Sequence, residues 1–341
     1  MNADRFHQIT SGYPRLSIAV LGDFCLDRYL EIDPSRQETS LETGLPVHNV
    51  MRVRSQPGGA GTVLNNLVAL GVGELLPIGF AGNDGEGFEL DRALGEMSGV
   101  LIESFLRTPL RRTFTYCKPL VIETGSAPRE LNRLDSKNWT PTPPEVEERL
   151  IAAVRKCAPR IDALVILDQV DQAETGVVTR RVLDAVAEIA RQRPELRILA
   201  DSRRGLRGFP AVSLKMNRSE LGALLGGEPP AGVEQTRSAA IRLARQHGRD
   251  VFVTLAEDGL LGAEPTGAAS YWPALPVRGE IDIVGAGDSV TANLATALAA
   301  GASMDEALEL ARAASSVVIH QLGTTGTASV GQIAEVMAMK A

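Results

Sequence analysis

The chain has 341 residues, 44% of them apolar and 23% charged, with a formal net charge of −7. That is enough apolar material for a core, and the composition excludes a wholly disordered or collagen-like chain. The acidic balance argues against a general nucleic-acid binder, which needs a basic surface. Two domains or one large α/β domain both suit the length. No apolar run reaches the ~18 residues of a membrane span. The first 15 residues, MNADRFHQITSGYPR, lack the apolar stretch of a secretory signal. The cysteines are Cys25, Cys117 and Cys157, with no CxxC pair, and the histidines are scattered with no HExxH. These features exclude a disulfide scaffold and a zinc ribbon and point to a reducing, cytoplasmic compartment. None of the five lysines follows a glycine, so there is no Walker A loop.

In chain order, residues 16–22 (LSIAVLG) are an apolar run ending in glycine and read as a buried strand. Residues 59–70 read as a helix with Val63, Leu67 and Leu70 on one face. A strand at 75–80 and a helix at 88–97 follow. Further helices are expected at 143–157, 177–192, 219–225, 234–246, 287–300 and 304–320. Further strands are expected at 163–167, 196–200, 212–216 and 251–255. Such alternation implies βαβ units and a parallel sheet, with ligands beyond the C-terminal strand ends. Two excursions interrupt it. Residues 28–57 contain RYLEI and VHNVMRV, and residues 109–124 contain TFTYCKPLVIE. Both are β-like and read as one small accessory sheet, a lid over a ligand crevice. Val47, Val50 and Val53, with Phe114, Tyr116 and Val121, give that sheet more apolar surface than one chain can cover. The lid is therefore expected to pair two subunits as a homodimer.

The sharpest local feature is Asp282-Ile-Val-Gly285-Ala286-Gly287-Asp288-Ser289, followed by a helix of small residues. A Gly-Ala-Gly turn lets the backbone approach a ligand, and free N–H groups at a helix start favour an anion. Asp288 in that first turn is either a general base beside an anion hole or an ordinary first-turn acid. Asp23 and Asp27 lie at the end of the first strand, where carboxylates can accept sugar hydroxyl bonds. Pro57-Gly58-Gly59-Ala60-Gly61 opens the next helix. Gly79-Phe-Ala-Gly82-Asn-Asp84-Gly-Glu-Gly87 reads best as a capped helix start. Asn217-Arg-Ser-Glu220 can hold hydrated magnesium beside nucleotide phosphates, or Asn217 can be only a helix cap.

Together these residues resemble the ribokinase-like (PfkB) carbohydrate kinases from about residue 16 to residue 327. Asp282…Gly285-Ala-Gly-Asp288 is the most specific element, and Thr254-Leu-Ala-Glu-Asp-Gly259 follows in family order. Within the family the chain is most similar to the heptose-phosphate kinase branch. Gly22-Asp23-x-x-Leu26-Asp27-Arg28-Tyr29, Ser35-Arg36, Glu42…Leu45-Pro46-Val47, Asn66…Leu70-Gly71 and Arg133-Leu134-Asp135 carry that likeness. The resemblance implies one three-layer α/β/α domain over residues 1–341 with a small β-sheet lid, and ATP-dependent phosphorylation of a sugar or sugar-phosphate hydroxyl. It implies Asp288 as the base and the N–H groups of Ala286, Gly287 and Asp288, after Gly285, as the anion hole. Asp27, Gly58, Gly59, Thr62 and Asp168 are implied sugar contacts. Asn217, Glu220, Thr254, Glu257 and Gly259 are implied nucleotide-site residues, with Glu220 holding Mg²⁺ through water. Asp282 matches a position associated with a monovalent cation, which adds K⁺ to ATP and Mg²⁺.

The sequence departs from the pattern at four places. Thr62 stands where the heptose branch has asparagine, Val284 replaces a small polar residue, and Ala256 replaces a glycine. The segment Asp168-Gln-Val-Asp171-Gln172 lacks the branch's lysine-glycine. Competing readings are a nucleoside or polyol kinase, which would want an aromatic sugar-site floor, and a non-catalytic sugar or nucleotide sensor, which would not need Asp288. A dinucleotide oxidoreductase lacks its GxGxxG fingerprint here.

Overall fold

The strand Ser17–Gly22 alternates its side chains between two separate cores. Ile18 and Val20 join one apolar cluster, and Ala19 and Leu21 join the other. A strand buried on both faces is the signature of a sheet covered by helices on both sides. The structure is a computed structural model, and it describes residues 1–123, 125–126, 128–323 and 325–338.

The main sheet has eight strands. Their spatial order is Ala269–Trp272, Leu260–Ala263, Val251–Thr254, Ser213–Asn217, Arg197–Ser202, Ala163–Asp168, Ser17–Gly22 and Glu74–Ile78. The last six run parallel. The helices Ala60–Ala69, Gly85–Gly95, Ala286–Ala299 and Met304–Val318 contribute to the first core. Pro144–Cys157, Arg180–Gln192, Arg218–Leu224 and Gly232–His247 contribute to the second.

Three details correct the sequence reading. The sheet is not wholly parallel, because Leu260–Ala263 and Ala269–Trp272 return antiparallel at one edge. These four-residue strands are too short to show an alternation. The strand expected at 75–80 breaks after Ile78, and Phe80–Gly82 pairs with Leu106–Thr108 instead. A side chain at Gly79 would meet the Phe24 ring at 2.6 Å, so the chain turns there against that ring. The helix expected from residue 177 starts at Arg180, capped by Thr179, while the Val177 N–H is taken by Asp23. The helices Ala3–Thr10 and Val330–Ala338 lie outside the expected set.

The two excursions meet in one lid sheet. Phe24–Ile32 pairs antiparallel with Val50–Gly59 and parallel with Phe114–Val121. Arg129–Glu130 and Leu134–Ser136 add to its far edge. Thr124, the last residue of the second excursion, lies outside the described residues, as do residues 339–341. Phe114 and Val121 turn inward and are buried, whereas Val50, Met51, Val53 and Ile122 remain exposed. Arg28 and Ser55 both bond Glu89, at 2.8 and 2.6 Å, and tie the lid to the helix Gly85–Gly95. Among the described residues no helix is long and apolar enough to cross a membrane.

Candidate active site

The candidate site lies where the lid meets the C-terminal ends of the parallel strands, the side on which open α/β sheets bind ligands. Gly285 enters the helix Ala286–Ala299 in the left-handed conformation, φ 83°, with no side-chain cap. The Ala286 N–H reaches back to the Ile283 carbonyl at 3.2 Å. Among the described residues the N–H groups of Gly287 and Asp288 have no acceptor. The expected anion hole therefore has two free donors, with the third engaged in the turn.

Asp288 sits half-buried in that first turn. Burial pushes its carboxyl up to about 7, against the pull of Lys215, while Asp201 and Asp27 push it further up. A carboxylate poised near neutrality is suited to taking a proton from a hydroxyl. Under the turn lies a buried pair that sequence reasoning missed. Lys215 Nζ donates to Asp201 Oδ2 at 2.7 Å, and a side chain at Gly287 would lie 3.1 Å from that ammonium. Burial opposes the charge on Lys215, yet Asp201, and then Asp288 and Glu220, hold its pKa above the ordinary lysine value. One signal was available: a charged residue inside the otherwise apolar strand SLKMN.

The lid supplies the opposite wall. Asp27 is buried, and Lys118 Nζ lies 3.2 Å from its Oδ1. A side chain at Gly58 would come within 2.4 Å of Asp27 Oδ2, so the bare glycine makes room for this carboxylate. Gly59 adopts φ 57°, and a side chain there would strike the Asp23 carbonyl at 2.5 Å. Gln56 Nε2 donates to Thr325 Oγ1 at 3.0 Å, and Thr325 packs against Gly285, so lid and anion turn are joined directly.

Other expected residues are placed differently. Asp23 faces inward and accepts the N–H groups of Gln169 and Val177, at 2.8 and 2.6 Å. Burial, and then the neighbouring Asp168, push Asp23 up to about 7. Asp168 is fully buried, with Ser202 and Arg204 on one oxygen at 2.7 and 2.8 Å and no partner on the other. Thr62 is buried in its helix, where its carbonyl accepts Asn66 Nδ2 at 3.0 Å. Asp84 caps the helix Gly85–Gly95 and also binds Thr113, consistent with a structural start.

On the nucleotide side, Asn217 and Glu220 form a reciprocal capping box at 2.9 and 2.7 Å. Burial raises the Glu220 carboxyl, which also senses Asp201 and Lys215. One Glu220 oxygen is bonded within the box, so the other fits a hydrated Mg²⁺ next to the anion turn. Thr254 ends its strand, and Glu257 lies in the tight turn Ala256–Asp258. Gly259 has φ 105°, and a side chain there would overlap the Trp272 carbonyl. Ala256 holds φ 52°, a conformation that suits the glycine it replaces. Asp282 accepts the Val284 and Gly323 N–H groups at 3.0 and 3.2 Å. Both of its oxygens are thus taken by backbone N–H groups that shape the loop. A separate surface cleft beside Arg197, Arg249 and Asp250 lies at the opposite strand ends and has no such donor set.

The pattern has counterparts. Residues 17–330 match the pfkB family of carbohydrate kinases. The bifunctional protein HldE of Bradyrhizobium sp. (strain ORS 278) is 31% identical over 326 residues, covering 95% of this chain and 64% of the relative. The HldE of Rhodospirillum rubrum is 31% identical over 334 residues, covering 96% and 64%. The chain thus spans about two-thirds of the length of these relatives. Arabidopsis thaliana ribokinase complexed with ribose and ATP superposes with a TM-score of 0.68 at 18% identity, over 94% of this chain and 98% of that one. Phosphofructokinase-2 of Escherichia coli, in complex with substrates and products, gives 0.70 at 20% identity, over 95% and 99%. The fold is ribokinase-like.

Proposed function

The chain belongs to the pfkB family of carbohydrate kinases, and on that premise we propose that it transfers the γ-phosphoryl of ATP to a hydroxyl of a sugar or sugar phosphate. The observation that carries the reading is the Asp288 carboxyl, pushed up to about 7, beside two unfilled N–H groups and across from Asp27. Asp288 takes the hydroxyl proton as the oxygen attacks the γ-phosphorus in line. The N–H groups of Gly287 and Asp288 donate to the oxygens of the transferring phosphoryl, Lys215 adds a positive field from below, and ADP leaves. Asp27 orients the acceptor through its hydroxyls, with Gly58 and Gly59 giving backbone access. Thr254, Glu257 and Gly259 line the nucleotide side.

Glu220 and Asn217 would organise Mg²⁺, which when bound neutralises phosphate charge. Asp282 would hold a monovalent cation such as K⁺. Residues 1–341 act as one kinase domain in a reducing, cytoplasmic setting. The exposed apolar set Val50, Met51, Val53 and Ile122 supports a homodimer joined through the lids. Light scattering at micromolar concentration reads a dimer, and a fully active monomer would refute it.

The kinase reading is tested by coupled ADP release over pentoses, hexoses, heptoses and their phosphates, with and without Mg²⁺. Sugar-dependent, Mg²⁺-dependent ADP release is expected. Binding of these sugars with no ADP release from any of them would favour a non-catalytic sensor.

A further inference from the structure

A strut of two side chains runs between the lid and the anion turn. Gln56, near the end of the lid strand Val50–Gly59, is in register with Asp27 on the neighbouring strand. Register neighbours point to the same side of a sheet, so Gln56 leaves the face that carries this carboxylate. The strand end is firmly held. Ser55 points to the other face and donates to Glu89 at 2.6 Å, and the Ala60 N–H bonds the Asp23 carbonyl at 3.0 Å. From this fixed base Gln56 Nε2 donates to Thr325 Oγ1 at 3.0 Å. Among the described residues no other side-chain hydrogen bond joins the lid strands to the loops at 273–285 and 319–329.

Thr325 is seated against the anion turn. A side-chain atom at Gly285 would lie 3.5 Å from Thr325 Cβ and 3.7 Å from its Cγ2, which is van der Waals contact. The Thr325 loop is braced on both sides. Asp282 accepts the Gly323 N–H at 3.2 Å, and Gln321 exchanges bonds with Thr327 at 2.7 and 3.1 Å. The methyl of Thr325 thus meets Gly285 while its hydroxyl meets the lid. Gly285 enters the helix left-handed with no side-chain cap, and the free N–H groups of Gly287 and Asp288 follow directly. A half-exposed hydrogen bond between neutral groups adds little to the stability of a whole domain. What sets this one apart is that it spans from the acceptor wall to the phosphoryl donors.

We infer that Gln56 is a positioning residue for phosphoryl transfer. Through Thr325 it holds the Gly285 turn, and with it the N–H groups of Gly287 and Asp288, at a fixed distance from the wall that carries Asp27. The inference rests on the kinase reading above and adds a residue to that site. Each substrate needs one wall to bind, whereas in-line transfer needs both walls in register, so the bond matters more to the transition state than to either ground state. A misplacement of about 1 Å can cost about 100-fold in rate.

Gln56→Leu and Thr325→Val each remove the bond and nearly keep the volume. Each should lower kcat by about 10-fold or more and leave both KM values within about threefold. The double variant should be no slower than the slower single, because one contact is lost in all three. Thr325→Ser keeps the hydroxyl and should retain most of the rate. Amide hydrogen exchange gives a second readout that needs no turnover. The bonded amides of Val284, Ala286 and Ser289 should exchange about 10-fold faster in both single variants, with the melting temperature nearly unchanged. Unchanged exchange there, additive losses in the double variant, or raised KM with kcat intact would overturn the inference and leave the kinase standing. Faster exchange in both variants of a chain that releases no ADP with any sugar would keep the strut and reject the kinase reading.

Discussion

Lys215 Nζ and Asp201 Oδ2 lie 2.7 Å apart in a buried pair beneath the first turn of the helix that carries Asp288. The pair puts a fixed positive charge under the anion turn and an opposing negative charge one step further away. Lys215→Met removes the group that holds the Asp288 carboxyl down. The acidic limb of kcat/KM should move to higher pH. Asp201 would be left buried and unpaired, at a cost of about 3–5 kcal/mol. Adding Asp201→Asn should restore the thermal midpoint and, because Asp201 pushes the Asp288 carboxyl up, return the pH profile part of the way. A profile unchanged in both variants would remove Lys215 from the mechanism.

Asp288→Asn should lower kcat by about 10²–10⁴-fold with little change in either KM. For the wild type, kcat/KM should rise with pH through a midpoint near 7, the value to which burial pushes this carboxyl, and level off above it. The stability consequence has the opposite direction. The folded pKa lies above the unfolded one, so the carboxyl's cost to folding appears as pH rises from about 4 to about 7. Asp288→Asn should therefore melt higher than wild type at pH 8, and the gap should close toward pH 4. Near-wild-type turnover by this variant would dismiss Asp288 as the base.

Glu220→Gln should raise the Mg²⁺ concentration needed for half-maximal rate and leave the melting temperature nearly unchanged. The glutamine carbonyl can still accept the Asn217 N–H that Glu220 accepts at 2.7 Å, so the helix start survives. An unchanged magnesium titration would reduce the pair to its capping role.

Gly58→Ala should raise KM for the sugar by about 10-fold or more and spare KM for ATP. The new methyl would meet Asp27 Oδ2 at 2.4 Å and displace the carboxylate. Crowding of this kind typically costs about 1–3 kcal/mol. Steady-state kinetics in each substrate checks the split, and equal weakening toward both would contradict the division of the crevice.

Ala256→Gly should stabilise the chain by about 1 kcal/mol, because alanine at φ 52° carries a left-handed penalty that glycine avoids. Denaturant unfolding reads the change directly. No gain would mean that the turn in solution is not left-handed at this position.

Much of this protein was legible in its sequence. Short apolar runs separated by amphipathic segments specify a sheet covered on both faces, because a strand such as IAVL at 18–21 has no polar side to present to water. The turn Gly285-Ala-Gly287 ahead of Asp288 specifies a helix start open to an anion, because those groups are close along the chain. The tertiary structure decided what depends on residues far apart. Asp23 and Asp27 look alike in sequence, yet Asp23, just past the first strand, is turned inward onto the Gln169 and Val177 amides, and Asp27, inside the lid strand Phe24–Ile32, pairs with Lys118. Asp168 is 36 residues from the Arg204 that engages it, and only the parallel pairing of the strands Ala163–Asp168 and Arg197–Ser202 brings them together. The same holds for Lys215 beneath Gly287, and for Arg133, Lys137 and Arg203 around Tyr116. Local patterning reports which face is apolar and where a helix begins, whereas the partner of a buried charge is set by strand order and register.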